Sequence, residues 1–197
     1  MKRFKNFKII CILLGIVFVL ATIRYITLNS KYPEPVEYIT KFGDEMEIDG
    51  YSFKIKEFEW YDGSIVEDIL PGYELLIDID GNSYPYEKEK IALATIEICK
   101  KSEDDTIFDL TNIAFEMGAW HNQWDIELFE ALNGKESLIL KLSNGDTKKI
   151  VLPIVMFDFQ FSKNNWENIE TTKINIVFSC YPEKYVLQSS EKQNDLR

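Results

Sequence analysis

The sequence predicts a mainly β protein: an antiparallel β-sandwich with one short helix, preceded by an N-terminal transmembrane helix. Three observations lead to this fold class. A predominantly apolar run occupies residues 9–28, and short runs of alternating apolar and polar residues follow from residue 36 onwards. One stretch, 125–134, has the pattern of a capped helix. Because strands do not alternate with helices along the chain, a parallel sheet is not expected.

The apolar run IICILLGIVFVLATIRYITL at 9–28 is long enough to cross the hydrocarbon core of a bilayer. Its aliphatic residues favour insertion more than Arg24 opposes it, since Arg24 lies near one end and can reach the headgroups. The basic flank 1–8 predicts a cytoplasmic N-terminus and a single-pass protein of the cell membrane. The alternative is a cleaved signal peptide, although the Ala-Thr-Ile tripeptide at 21–23 ends in a large residue.

Charge is divided unevenly along the 197 residues, whose formal net charge is −11. Residues 1–30 carry five basic residues and no acid, which leaves 17 basic against 33 acidic residues in the rest. The strong excess of acidic residues after residue 30 argues against nucleic-acid binding and against docking on anionic lipid. The length allows one domain besides the anchor. We therefore expect a linker at 29–35, an extracytoplasmic β-sandwich domain at 36–188 and a flexible tail at 189–197.

Two hairpins are predicted from turn residues that separate alternating runs. In 45–60 an Asp-Gly pair at 49–50 has the pattern of a type I′ turn, and in 137–152 an Asn-Gly pair at 144–145 has the same pattern. The regular spacing of short strands indicates a sandwich. Further strands are expected at 74–79, 90–99, 109–117, 173–180 and 184–188.

The one predicted helix is DIELFEALNG at 125–134. Asp125 suits the N-cap position and Gly134 suits the position just past the end. Trp124 and Phe129 have the spacing of a hydrophobic staple, which fixes the angle at which the chain enters a helix.

The stretch GAWHNQWD at 118–125 contains the only histidine, His121. No catalytic residue is assigned, because the chain has neither a second histidine nor a G-x-S-x-G motif. Surface aromatics often anchor ligands, so Trp120, His121 and Trp166 are the candidate binding residues. In the alternative interpretation, Trp120 belongs to the core and Trp166 caps the end of the sandwich.

No metal or cofactor is expected. The oxygen-rich stretch DIDGNSYPYE at 78–87 resembles a calcium loop, but Gly81 stands fourth where the EF-hand pattern needs a sixth-position glycine. No carboxylate pair is distinct from a solvated acidic surface. The segment 63–90 is rich in turn residues, and its end at 84–90 is predicted to be a protruding charged loop.

Two cysteines lie outside the apolar run, Cys99 and Cys180. An oxidising exterior permits a disulfide between them. The alternative is a pair of buried thiols.

Five stretches carry a resemblance to a known group of proteins: GDEMEIDGYSFKIKEFE at 43–59, IALATIEI at 91–98, AFEMGAWHNQWDIELFEALN at 114–133, VLPIVMFDFQFSKNNW at 151–166 and CYP at 180–182. Most of 36–188 resembles small, uncharacterised, membrane-anchored surface proteins of Gram-positive bacteria with an immunoglobulin-like ectodomain, a domain of unknown function. The resemblance implies an immunoglobulin-like sandwich and a binding or envelope-associated module without a known activity. The segment 63–90 does not fit a minimal sandwich and is interpreted as an insertion.

The predicted function is non-enzymatic: a membrane-anchored extracytoplasmic module that binds a protein or a cell-envelope component, with residues 9–28 in the membrane. One alternative is a glycan-binding surface domain, which requires exposed and roughly coplanar aromatic rings. Another is a protein that protects the cell against a secreted cationic toxin, for which the acidic body is suited.

Overall fold

The structure is a computed structural model that describes residues 2–77, 81–135 and 138–189, with side chains from residue 12 onwards. The chain divides into two compact units, residues 1–36 and residues 37–197.

The first unit contains one helix, α1 (Lys2–Lys31), in which Ile12–Lys31 is long and apolar enough to cross a membrane. Two of its threonines hydrogen-bond within the helix: the hydroxyl groups of Thr22 and Thr27 donate to the carbonyl oxygens of Phe18 and Ile23 at 2.9 and 2.8 Å. Such internal pairing is what an apolar solvent demands. A helix of this kind near an N-terminus can serve as an anchor or as a signal sequence.

The second unit is built from antiparallel sheets. One sheet has the strand order β1-β11-β10-β6-β7, a second has the order β2-β3-β4-β9, and β5 pairs with β8 in a small ribbon. The strands are β1 Val36–Thr40, β2 Met46–Ile48, β3 Tyr51–Asp62, β4 Glu89–Lys100, β5 Phe108–Asp109, β6 Ala114–Met117, β7 Trp120–Asn122, β8 Ile139–Leu140, β9 Thr147–Phe157, β10 Asn175–Ser179 and β11 Glu183–Gln188. The helices of this unit are α2 Ile65–Ile69, α3 Ile126–Asn133 and α4 Lys163–Glu167.

The inner faces of the two larger sheets share one hydrophobic core. Phe53 and Ile96 contribute from the four-stranded sheet, and Ile176 and Phe178 contribute from the five-stranded sheet. The ring centroids of Phe53 and Phe178 are 4.6 Å apart across the interface. The domain is therefore mainly β with two sheets packed face to face, as expected; the finer immunoglobulin-like assignment stays a prediction.

The first predicted hairpin is confirmed. β2 pairs with β3 in antiparallel register, and the connecting residues Asp49 and Gly50 have φ values of 50° and 76°. Positive φ at both central positions is the signature of the type I′ turn.

The second predicted hairpin, 137–152, is wrong in its pairing. A turn does form at 144–145, but β9 pairs along its length with β4, and β8 pairs with β5. The reason lies at the outer edge of β9, where the Asn133 side chain both donates to the Val151 carbonyl and accepts from the Val151 amide, each at 2.8 Å. The Asp125 amide donates to the Pro153 carbonyl on the same edge. Helix α3 thus occupies the positions that a partner strand needs; residues 136–137 lie outside the described part.

Strands predicted at 90–99, 173–180 and 184–188 correspond to β4, β10 and β11. The stretch 109–117 is interrupted by a 3₁₀ turn at 110–112, where the Asp109 side chain accepts from the Thr111 amide. The prediction of a strand at 74–79 is wrong in its described part, which forms a single bridge between Ile77 and Ser83.

The predicted helix is confirmed as α3. The Asp125 side chain accepts from the Leu128 amide at 2.9 Å, and Gly134 ends the helix with φ 75°. The rings of Trp124 and Phe129 lie 4.6 Å apart, as the staple requires. The prediction of one short helix is incomplete, because α2 and α4 are also helical.

Within the segment 63–90, residues 65–75 cover part of the outer face of the four-stranded sheet. Val66 of α2 packs with Ile91, Leu128 and Val155 in a second, smaller core. The predicted charged loop 84–90 is exposed at residues 85–88, but Glu89 and Lys90 already belong to β4.

Candidate functional site

A groove lined by aromatic and charged side chains lies at the end of β9, with a volume of about 440 Å³. We call it the aromatic groove. It is lined by Tyr84, Lys88, Asp158, Phe159, Phe161, Lys163 and Trp166.

The chain beyond β9 presents these residues because the strand ends in a 3₁₀ turn at 158–160. The Phe157 amide donates to the Gln160 side chain at 3.0 Å, which closes the turn. Ser162 then caps α4 by accepting from the Asn165 amide at 3.3 Å. Trp166 is placed on α4 by this cap.

The rings of the aromatic groove form a partly exposed surface. Phe161 and Trp166 are nearly parallel, with centroids 6.0 Å apart and an interplanar angle of 25°. Phe159 is 63% exposed and stacks on Phe157 at 5.5 Å, while Tyr84 meets Phe159 edge to face at 5.8 Å. Exposed faces held by such contacts lose little conformational entropy when a ligand binds.

Polar groups stand beside these rings. The Tyr84 hydroxyl donates to the Asp158 carboxylate, and this hydrogen bond, followed by burial, raises the pKa of Tyr84 to about 12. The Lys88 ammonium lies 5.7 Å from the centre of the Tyr84 ring. Lys163 lies 3.8 Å from the Glu167 carboxylate at the surface. The groove therefore offers aromatic faces together with hydroxyl, carboxylate and ammonium groups.

The three predicted binding residues are only partly brought together. Trp166 lines the groove, and Trp120 packs against Phe161 at 5.7 Å, behind the lining. The buried indole Nε1 of Trp120 has no hydrogen-bond partner among the described residues. His121 is exposed on β7, where consecutive side chains point to opposite faces of the sheet. Both tryptophans are half-buried against the main core, so neither is a freely exposed side chain.

The groove residues Tyr84, Phe159 and Phe161 were not predicted. The available signal was FDFQF at 157–161, in which aromatics alternate with polar residues. Such alternation is typical of a half-buried strand and does not distinguish one from an exposed aromatic surface.

Glu89 lies beside this region but does not line the groove. It is 1% exposed, and its Oε2 atom has no hydrogen-bond partner in the described part of the chain. Burial raises the pKa of this carboxyl to about 7. Such a pKa suits a general acid, but Glu89 is covered by Gly63, where an added Cβ would stand 2.6 Å from the Glu89 Cβ. The carboxyl is thus separated from any ligand in the groove.

Cys99 and Cys180 are free thiols rather than a disulfide. Cys99 alternates with the core residue Ile98 and so faces outward from the four-stranded sheet, whereas Cys180 is exposed just beyond β10 of the other sheet. Cys180 and Phe178 line a second cavity of about 440 Å³.

Within residues 2–77, 81–135 and 138–189, no group of three His, Cys, Asp or Glu side chains is arranged to hold a metal ion. Asp78 and Asp80 of the calcium-like stretch lie outside the described residues.

Solved structures similar to this domain have low sequence identity. A Bacillus subtilis protein described as a "putative lipoprotein" (ycdA) is 9% identical with a TM-score of 0.48, and the match covers 76% of this chain but 39% of that one. An uncharacterised β-sandwich protein of Clostridium difficile is 14% identical with a TM-score of 0.42, covering 80% and 97% of the two chains. A conserved hypothetical protein of Bacillus anthracis is 16% identical with a TM-score of 0.43, covering 73% and 93%. Similarity at this level carries no argument about function.

No curated protein matches the chain. The family model that does match is described as a domain of unknown function, DUF5028, and it spans residues 33–185. That match includes the strands of both sheets, apart from the end of β11 beyond residue 185, and the residues of the aromatic groove. The chain therefore belongs to the DUF5028 family.

Proposed function

We propose that this protein is a membrane-anchored extracytoplasmic binding module, and that its aromatic groove holds a polysaccharide of the cell envelope. The observation that carries the proposal is the groove itself, in which the exposed face of Phe159 and the half-buried Trp166 adjoin Tyr84, Asp158 and Lys88.

Sugar rings fit such a surface because they present C–H groups on one face and hydroxyl groups around the edge. Aromatic faces pack against the C–H groups, while a carboxylate, a phenol and an ammonium can accept or donate hydrogen bonds at the edge. A groove with four aromatic and three charged lining residues is more polar than the apolar centre of a stable protein interface. A protein partner is therefore the less favoured occupant.

The proposed location follows from the N-terminal unit. In this proposal α1 stays in the membrane, the basic flank 1–8 remains in the cytoplasm, and the domain that follows lies outside. An anchored domain would then meet envelope polysaccharide at high local concentration, so modest intrinsic affinity would suffice.

The test is co-sedimentation of the full-length protein, in detergent micelles, with insoluble cell-wall polysaccharide stripped of protein by protease. We expect the wild type to sediment with the wall material. Phe159→Ala should weaken binding by a factor of about 10 to 30, the range of a good aromatic contact. Phe159 is mostly exposed, so its loss leaves the core intact.

His121→Ala is the matched control, because His121 is an exposed residue of β7 that does not line the groove. It should bind like the wild type. Equal binding by Phe159→Ala and wild type would refute the groove as the site. Binding only to wall material that retains its proteins would replace the polysaccharide with a protein partner.

A further inference from the structure

We propose that Glu89 is a proton-operated latch: its protonated carboxyl lets the segment 63–76 close over the outer face of the four-stranded sheet, and its ionisation loosens that segment. This inference goes beyond the proposed binding function and does not depend on the ligand of the groove.

The geometry places the carboxyl where it controls this closure. Glu89 is the first residue of β4 and shares the outer face of the strand with Ile91 of the smaller core. The Gly63 amide donates to the Glu89 carbonyl at 3.2 Å, and a Cβ at Gly63 would stand 3.0 Å from the Tyr86 carbonyl. Segment 63–76 begins at this contact and continues into α2, so the carboxyl lies beneath its attachment point.

Charged residues lie on each of the elements that adjoin Glu89: Asp62 at the end of β3, Glu67 and Asp68 on α2, Glu87 and Lys88 in the turn 86–88, Lys90 on β4, and Asp158 after β9. Several of them interact with partners other than Glu89. Lys90 forms ion pairs with Asp62 and Glu170, and Asp158 accepts from Tyr84. Glu67 accepts from the Gly72 amide at 3.2 Å.

Among the described residues no cation forms an ion pair with Glu89, and its Oε2 atom has no donor. A carboxylate in this position would lose its hydration without compensation. Glu89 therefore either stays protonated and neutral, or it ionises and the segment 63–76 moves away so that water reaches the carboxylate. Since Gly63 packs directly against the side chain, the segment that must move to admit water is 63–76.

The direction of the pH effect follows from proton linkage. Burial raises the pKa of Glu89 from 4.5 to about 7, so the closed form holds a proton at pH values where an opened form has released it. The closed form is therefore fully favoured below pH 4.5 and loses its advantage as pH rises towards 7. Between pH 5 and pH 8 the opening equilibrium should rise on the order of 100-fold.

Tyr84 and Lys88 line the aromatic groove and lie close to Glu89 in sequence. Movement of the segment 63–76 at Glu89 would therefore also shift Tyr84 and Lys88 in the wall of the groove.

The test is hydrogen exchange of the full-length protein in detergent from pH 5 to pH 8, corrected for intrinsic exchange rates. Peptides from 63–76 of the wild type should lose about 100-fold in protection as pH rises, while core peptides of β4 and β9 stay constant. Glu89→Gln, which is neutral at every pH, should keep 63–76 protected throughout. Glu87→Gln removes an exposed neighbouring carboxyl and should behave like the wild type.

Constant wild-type protection, or an unchanged pH profile in Glu89→Gln, would overturn the latch. A carboxyl ¹³C titration of the wild type keeps the proposal testable if Glu89→Gln misfolds: a Glu resonance titrating near pH 7 supports the latch, and no such resonance contradicts it. Neither measurement uses a groove ligand, so failure of the latch and failure of the proposed binding function are separate results.

Discussion

Lys100, a charged residue with no exposed surface, ends β4. Its ammonium donates to Asp104 at 2.7 Å and to the Thr106 carbonyl at 3.1 Å, and it lies 4.3 Å from the centre of the Tyr51 ring. The hydrogen bond from Lys100, followed by those from Thr106 and Ser102, lowers the pKa of Asp104 below its usual range. The side chain thus fixes the loop after β4 against the end of the core.

We expect Lys100→Ala to lower the free energy of unfolding by about 2–4 kcal/mol, through lost packing of the stem and loss of charged hydrogen bonds. Lys100→Met keeps most of the stem volume, so it should cost at least about 1 kcal/mol less than Lys100→Ala. Urea unfolding of both variants measures the difference. Equal costs would show that packing of the stem contributes nothing.

Alanine substitutions at Gly50 and Gly145, two glycines with positive φ, distinguish the cost of backbone strain from the cost of steric overlap. Gly50 has φ 76°, and a Cβ there would stand 2.8 Å from the Ser102 Cβ, whereas Gly145 has φ 84° with nothing within 4 Å. Gly145→Ala should cost about 1–2 kcal/mol from strain alone. Gly50→Ala should cost about 2–4 kcal/mol, because a steric overlap is added. Thermal unfolding of the two variants checks this order, and a larger cost at Gly145 would contradict it.

At the scale of elements, the outer edge of β9 is covered by a helix rather than by a strand. The Asn133 side chain pairs with both backbone groups of Val151 and also donates to the Phe129 carbonyl at 2.8 Å. It thereby joins the end of α3 to the sheet. It also hydrogen-bonds backbone groups on the edge of β9 that could otherwise pair with a strand of another chain.

Asn133→Ala should therefore destabilise the domain by about 2–3 kcal/mol, because it leaves two half-buried backbone groups without partners. Asn133→Asp keeps the acceptor for the Val151 amide but replaces the donor with a carboxylate oxygen that faces the Val151 and Phe129 carbonyl oxygens, so at pH 7 its cost should at least equal that of alanine. Chemical denaturation gives these values. An unchanged stability of Asn133→Ala would mean that water replaces the side chain at this edge.

Local patterns predicted the elements whose partners are adjacent in sequence. The hairpin of β2 and β3 and the capped helix α3 follow from turn and cap residues that act over a few positions. The prediction of a hairpin at 137–152 was wrong in its strand pairing, although its turn residues do form a turn. The pairing is determined by Asn133, a residue outside the stretch. Tertiary contacts of this kind leave no periodic signal in the sequence.

At the scale of the whole molecule, the sequence predicted a mainly β domain and an apolar N-terminal helix because both depend on hydrophobic periodicity. The groove was only partly predicted, through Trp166. Its other aromatic walls come from segments far apart in the chain, Tyr84 before β4 and Phe159 after β9, which the fold alone brings together.

The most direct test of the groove as a ligand site is photo-crosslinking in intact cells, with a photoreactive phenylalanine analogue at position 159 and, as control, at position 121. We expect an adduct at position 159 that a glycan-cleaving enzyme shortens and a protease applied to the denatured partner does not, and no such adduct at position 121. Absence of an adduct at 159, or an adduct sensitive only to protease digestion of the partner, would contradict polysaccharide binding by the aromatic groove.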